Sequence, residues 1–350
     1  MTSLDAEPLC VVIVGGGLIS DTHARAVQQV DGARLAGFVG GARSRERAKQ
    51  FGVSYDADLA ALVSSDGPYA AVICTPPGTH AEIGIAAARL GMHVLVEKPV
   101  DLSVAAARRL QSACREVGSV LGVVSQRRFD SGFVELAELI RDGRLGRLTL
   151  GSAAMKCWRE HGYYEGWQGT RHLGGGGALI NQGIHTVDML CAVMGPPRRV
   201  SALERSIAHD IEVEDVALAT IEFASGAVGT IESTTAFFSA ASGPTVANVV
   251  ERLEIAGTKG SAVLSAGQLI HCSIATGDFP SPVALAATKS ALPLEPFVQQ
   301  YRDFVDAIRA HREPAVTADD AIRALELISA TYESARTGKP VEIGTCPERT

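Results

Sequence analysis

Residues 9–20 read Leu9-Cys10-Val11-Val12-Ile13-Val14-Gly15-Gly16-Gly17-Leu18-Ile19-Ser20, and the fold follows from how this stretch changes character halfway along. Its first six residues are wholly apolar, as in a strand buried on both faces of a parallel sheet. Three glycines end the run, and Leu18 to Val30 then reads as a helix. A strand, a glycine loop and a helix in this order form a seat for a pyrophosphate. Gly15 permits the tight turn, Gly17 lets the backbone approach closely, and Leu18 and Ile19 bring the helix N-terminus to the anion. Ser20 stands where a third glycine would pack helix on strand, and it is small enough to serve.

The same alternation continues outward. Strand-like runs at Arg34–Val39, Tyr69–Cys74, His93–Val96 and Val120–Ser125 alternate with helical stretches at Asp58–Val63, Ala81–Leu90 and Ser103–Val117. The last of these puts Ala106, Leu110, Ala113, Cys114 and Val117 on one face. Short loops between such units imply right-handed crossovers and a doubly wound parallel α/β sheet. After residue 127 the rhythm changes. A helix carrying Phe133, Leu136, Ala137 and Ile140 stops at Gly143, a strand spans Leu148–Lys156, and a helix spans Ala178–Val193. Strands follow at Val200–Ala208, Val216–Phe223, Ala227–Thr234 and Val249–Ile255. Ser225-Gly226 reads as a hairpin turn, and the GTKG of 257–260 as another. Phe297, Tyr301, Phe304, Val305 and Ile308 line one closing helix, and Thr317 with Asp320 forms a capping box for the next. The expected division is residues 1–127 for the parallel α/β domain and 128–350 for an α+β domain with a largely antiparallel open sheet.

The whole chain has 350 residues, 46% hydrophobic and 20% charged, and 32 basic against 39 acidic side chains leave a net charge of −7. That balance argues against disorder and against nucleic-acid or anionic-membrane partners. No apolar run approaches the roughly 20 residues that span a bilayer, and the acidic opening MTSLDAEPL lacks the form of a secretory signal. Cys10, Cys74, Cys114, Cys157, Cys191, Cys272 and Cys346 are dispersed, without a CxxC pair or metal-ligand spacing. They read as free thiols in the reducing cytoplasm, and no metal is implied.

Four stretches carry candidate chemistry. The second strand ends Val39-Gly40-Gly41-Ala42-Arg43-Ser44-Arg45, with no acid before Glu46. A carboxylate there would bind a ribose 2′-hydroxyl and repel a 2′-phosphate. Arg43, stacking on adenine or pairing with the phosphate, and Ser44, donating to it, favour NADP over NAD. Thr75-Pro76-Pro77-Gly78-Thr79-His80 and Glu97-Lys98-Pro99 each follow a parallel strand, at the carboxyl ends where ligands of open α/β sheets bind. In Gly174-Gly175-Gly176-Gly177-Ala178-Leu179-Ile180-Asn181-Gln182-Gly183-Ile184-His185-Thr186-Val187-Asp188, the i, i+4, i+7 spacing puts Asn181, His185 and Asp188 on one helix face.

These motifs resemble the Gfo/Idh/MocA family of NAD(P)-dependent sugar and cyclitol oxidoreductases, from about Leu9 to Ile343. Gln126-Arg127-Arg128-Phe129 and Tyr163-Tyr164…Trp167-Gln168-Gly169-Thr170 support the match. The resemblance implies a Rossmann domain, then an α/β domain whose open sheet often forms a homodimer or homotetramer interface. It implies cofactor contacts from Gly15, Gly17, Leu18, Ile19, Arg43, Ser44, Thr75, Pro76, Pro77, His80, Glu97 and Lys98. Lys98 would bind the reacting hydroxyl and orient the nicotinamide, His185 would take the hydroxyl proton, and the Lys98–Pro99 bond is often cis. Family members commonly carry aspartate where Asn181 stands, and an amide cannot accept a proton at neutral pH. Asp188 then reads as a partner of His185 or a structural acid. Gln126, Arg127, Tyr163, Trp167, Arg171 and Asn181 are expected to join Lys98 and His185 around a small sugar or cyclitol. Trp158, Tyr164 and His172 are further candidates. The same fold also serves redox-neutral glycoside cleavage and a non-catalytic nucleotide sensor.

Overall fold

The computed structural model describes residues 7–63, 68–238, 249–275 and 293–344, so Cys346 lies outside the described residues. Six strands come first: β1 (Leu9–Val14), β2 (Ala33–Val39), β3 (Ser54–Asp56), β4 (Tyr69–Ile73), β5 (His93–Val96) and β6 (Leu121–Val123). They lie in the order β3-β2-β1-β4-β5-β6, every neighbouring pair parallel. Helices α1 (Leu18–Val27), α2 (Ala42–Phe51), α3 (His80–Arg89) and α4 (Val104–Glu116) lie between the strands in sequence. All six residues of β1 are buried, and each Val or Ile so placed contributes about 1.5–3 kcal/mol. The chain leaves β1 for β2 on one side and returns to β4 on the other. The crevice outside the carboxyl ends of β1 and β4 is therefore the ligand position of such a sheet.

There are two local differences from the sequence reading. Ser54–Asp56 lacks an apolar run, yet it pairs as an edge strand beside β2. Asp58–Val63 is a short 3₁₀ turn, Leu59–Leu62, at whose start the Asp58 carboxylate accepts from the Ala60 N–H at 3.0 Å.

The helix Glu295–Ala310 buries Phe297, Tyr301, Phe304 and Val305 as its spacing required, and they join one core with β1 and β4. The first compact unit accordingly runs to Gln126 and takes in Pro293–Ile322. The second takes the chain from Arg127 and again from Arg323.

The second unit contains α5 (Ser131–Arg141), β7 (Leu148–Lys156), α6 (Ile184–Met194), β8 (Pro197–Arg205), β9 (Val216–Phe223), β10 (Val228–Thr234), β11 (Val250–Gly257), β12 (Gly260–Ser265), β13 (Gln268–Ile274) and β14 (Val341–Glu342). Its sheet order is β13-β12-β11-β7-β10-β9-β8-β14. All pairs are antiparallel except β7 with β10. Alternation in β9, β10 and β11 buries one face. On the other face Leu203 pairs beside Leu218, and Leu150 beside Val228, all four exposed. Gly151 lets α6 sit close, since a methyl there would stand 2.8 Å from Leu190 and Met194. Thr317 and Asp320 cap the helix Ala318–Thr337 reciprocally, with both side chain-to-backbone bonds at 3.2 Å.

Candidate functional site

The three glycines of the first loop have different tasks. Gly15 adopts φ +109°, and a methyl there would stand 2.7 Å from the Cys74 carbonyl oxygen. Gly16 packs against the backbone of Arg43 and Ser44. Around the position of a Gly17 methyl, in contrast, no protein atom lies within 4 Å. Packing does not demand a glycine there, but a ligand seated against the backbone does. Gly17 caps α1 without a side-chain bond, so the first N–H groups of the helix remain for an anion. Ser20 is fully buried and donates from Oγ to the Gly17 carbonyl at 2.6 Å, pinning the loop. These residues fit a dinucleotide.

At the end of β2, Gly40 adopts φ +133°, and Tyr55 Oη donates to its carbonyl at 2.9 Å. Arg43 is exposed in the first turn of α2, and that turn contains no acid. Ser44, expected beside it as a phosphate donor, is buried and lies against Gly40 instead. Arg45 carries its guanidinium 4.9 Å from the centre of the Tyr55 ring.

Beyond β4, Thr75 and Thr79 share a hydroxyl–hydroxyl bond of 2.7 Å. Thr75 and Pro76 are partly exposed, while Pro77 is buried. The Lys98–Pro99 bond is cis. His80 is buried rather than facing a ligand. Nδ1 lies 2.8 Å from the Pro99 carbonyl and Nε2 2.9 Å from that of Thr75, so the ring ties the two loops together. Burial pulls its pKa below the ordinary histidine range, against the upward pull of both carbonyls, Glu97 and Asp101. Glu97 also turns inward. Its Oε1 lies 3.0 Å from His23 Nε2, and its Oε2 accepts from the Lys98 N–H at 3.0 Å. Burial alone would raise the Glu97 pKa. The His23 bond, with the charges of His23, Lys98 and His80, overcomes this and holds the carboxyl below its ordinary range. His23 Nδ1 reaches Tyr301 Oη at 2.9 Å. Sequence reading named Tyr301 only as a core residue and missed its bond to His23, since no local pattern announces a contact between residues 278 positions apart.

In the second unit the helix preceding His185 departs from expectation. Leu179–Gly183 is a π turn rather than part of a regular α-helix. Asn181 is buried, and its Nδ2 donates to the Gly176 carbonyl at 3.0 Å. The sequence placed it against substrate; its Nδ2 meets the glycine loop. Glu214, absent from the sequence reading, anchors this turn. Its carboxylate accepts from the Gly177 and Leu179 N–H groups at 2.7 and 2.9 Å and from Tyr332 Oη at 2.9 Å. Gly176 and Gly177 are required because a methyl would strike Tyr332 Oη or the Glu214 carbonyl. His185 remains partly exposed on α6. Asp188 is buried and accepts from Arg128 Nε at 3.1 Å.

The remaining candidates separate by their partners. Gln126 is buried. Arg127 is held by Glu251 at 2.9 Å and Asp130 at 3.3 Å rather than presented to a ligand. Tyr163 Oη accepts from Gln182 Nε2 at 3.0 Å. Trp167 is partly exposed, and Arg171 and His172 are exposed on a single helical turn, Arg171–Gly174. Tyr164 is buried against Thr235, and Trp158 packs on His209 at 5.1 Å between ring centres. Among the described residues, no three His, Cys, Asp or Glu side chains come together as metal ligands would.

A parallel sheet in this strand order, with an open glycine loop at its switch point, defines a dinucleotide-binding fold. The chain belongs to the Gfo/Idh/MocA oxidoreductase family: residues 9–125 match its NAD-binding Rossmann fold and residues 137–343 its C-terminal alpha/beta domain. The 1,5-anhydro-D-fructose reductase of Ensifer adhaerens is 29% identical over 291 residues, covering 81% of this chain and 82% of its own. The scyllo-inositol 2-dehydrogenase (NAD(+)) of Bacillus subtilis is 27% identical, covering 97% of each. The crystal structure of the WlbA dehydrogenase of Bordetella pertussis, in complex with NADH and UDP-GlcNAcA, matches with a TM-score of 0.84 at 25% identity. It covers 97% of this chain and 99% of that one.

Proposed function

We propose that the chain interconverts a secondary hydroxyl and a ketone on a sugar, cyclitol or sugar derivative, using NAD(P). The observation that carries this reading is selective exposure. In the two family motifs Glu97, Pro99, Asn181 and Asp188 are buried, whereas Lys98 and His185 keep access to solvent. The reductase and inositol dehydrogenase named above support the substrate class.

A bound nicotinamide supplies the hydride acceptor for oxidation or the donor for reduction. Lys98 Nζ hydrogen-bonds the reacting oxygen. The His185 imidazole takes the hydroxyl proton during oxidation and returns it during reduction, a task suited to a group that titrates near neutral pH. Asn181 provides no carboxylate relay, so the proton taken by His185 passes on without one. Arg43, exposed where no acid precedes it, favours NADP. The outer face of the second sheet, with Leu203 and Leu218 exposed side by side, supports assembly into a homodimer or homotetramer. Free, mostly buried thiols at Cys10, Cys74, Cys114, Cys157, Cys191 and Cys272 support a cytoplasmic location. No helix among the described residues is long and apolar enough to cross a membrane.

The test is nicotinamide reduction by the purified protein against pooled sugars, cyclitols and sugar acids, with NAD⁺ and NADP⁺ in parallel. Absorbance growth in one pool is the expected result. Glycoside cleavage that needs the cofactor yet leaves its absorbance unchanged would overturn the net-oxidation reading.

A further inference from the structure

Arg159 lies just before the Trp/Tyr loop of the second unit. Its Nη2 donates to Gln182 Oε1 at 2.9 Å, and its Cζ lies 5.1 Å from the centre of the Tyr163 ring. Gln182 donates back to Tyr163 Oη at 3.0 Å, which closes a three-residue frame around the guanidinium. Gln182 precedes His185 by three residues, on the π turn that leads into α6.

The guanidinium is part-buried, its Nε is buried without an acceptor, and among the described residues no carboxylate pairs with it. Glu160, next in sequence, accepts the Trp158 indole N–H at 2.8 Å instead. The comparable arginines of this unit are neutralised: Arg127 by Glu251 and Asp130, and Arg128 by Asp188. Withdrawing a charge from water without a counter-charge is costly. A frame that holds the cation in place through Nη2, with the residue only partly buried and no counter-charge beside it, suits an anion that arrives with a ligand. A planar fork of N–H donors matches a carboxylate or a phosphate ester.

We infer that Arg159 forms a subsite for an oxyanion on the substrate, the carboxylate of a sugar acid or the phosphate of a sugar phosphate. The inference rests on the proposed role of His185, which brings the reacting carbon to the same part of the unit.

The test separates binding from turnover. Calorimetry with saturating NAD⁺ or NADP⁺, run in parallel, compares glucuronate, glucose 6-phosphate and glucose on the native protein, Arg159→Met and Arg159→Lys. The lysine variant keeps the charge without the fork, and thermal unfolding checks that both variants are folded. Nicotinamide absorbance then follows turnover of the same three compounds. One anionic compound is expected to bind at least about tenfold more tightly than glucose, and Arg159→Met to lose about tenfold to hundredfold of that affinity. Arg159→Lys should lose part of it. Whichever anion shows the loss identifies carboxylate or phosphate. Three results would overturn the subsite: glucose binding as well as both anions, equal weakening of glucose and the anions by Arg159→Met, or no binding of either anion. Arg159-dependent binding without turnover would keep the subsite and count against the dehydrogenase reading. Turnover of glucose with no preference for an anion would do the reverse.

Discussion

Arg43 stands exposed in the first turn of α2, where no carboxylate is present to repel a phosphate. Replacing it with alanine should weaken NADP binding about tenfold more than NAD binding, as titrations with the two cofactors would show; equal weakening would contradict the assignment. The neighbouring residues show what a sequence reveals at this scale. Gly15, Gly17, Lys98 and His185 stand out in the sequence because each belongs to a motif whose spacing points to chemistry. The directions in which Ser44, His80 and Glu97 turn do not. Each turns inward toward partners supplied by other segments: Gly40, the carbonyls of Pro99 and Thr75, and His23. A motif marks a position on the chain, while burial decides which groups around it meet a ligand.

At the scale of elements, the π turn is the main departure from periodicity. An α-helical repeat was read through Leu179–Gly183, but the turn is held wider by Glu214 and Tyr332, which lie far off in sequence. Another buried acid gives a pH signature. Burial raises the Glu251 pKa, opposed by the charge of Arg127 and assisted by repulsion from Asp130. The folded chain therefore holds that proton more tightly than the unfolded chain. Its contribution is fully present below the ordinary glutamate pKa and is lost as pH rises through the raised value. Glu251→Gln has no proton to lose. Denaturation midpoints measured from about pH 4 to pH 7 should shift progressively in favour of the variant. A gap between variant and native protein that stays constant with pH would contradict this account of the Arg127–Asp130–Glu251 cluster.

For the whole molecule, the doubly wound sheet was legible because buried parallel strands announce themselves as unbroken apolar runs. The open sheet was legible in part. β9 matched its run, whereas β12 and β13 alternate too weakly to stand out, and the single parallel pair of β7 with β10 joins strands that are remote in sequence. The helix Glu295–Ala310 returns to the core of the first unit, since its Phe297, Tyr301 and Phe304 find apolar partners there. The exposed leucines of the second sheet bear on assembly. Light scattering should give the native protein a mass of two or four chains, and Leu218→Glu should shift it toward one. A monomeric native protein, or an assembly indifferent to the variant, would contradict the interface.

The central claim is that His185 moves the proton that accompanies hydride transfer. The measurement that tests it most directly compares turnover and cofactor binding in the native protein and His185→Ala, on the substrate found in the pooled assay. A general base contributes typically about 10²–10⁴-fold to rate. The account predicts a loss of that order in kcat with cofactor affinity nearly unchanged. A variant that retains most of its turnover would contradict it.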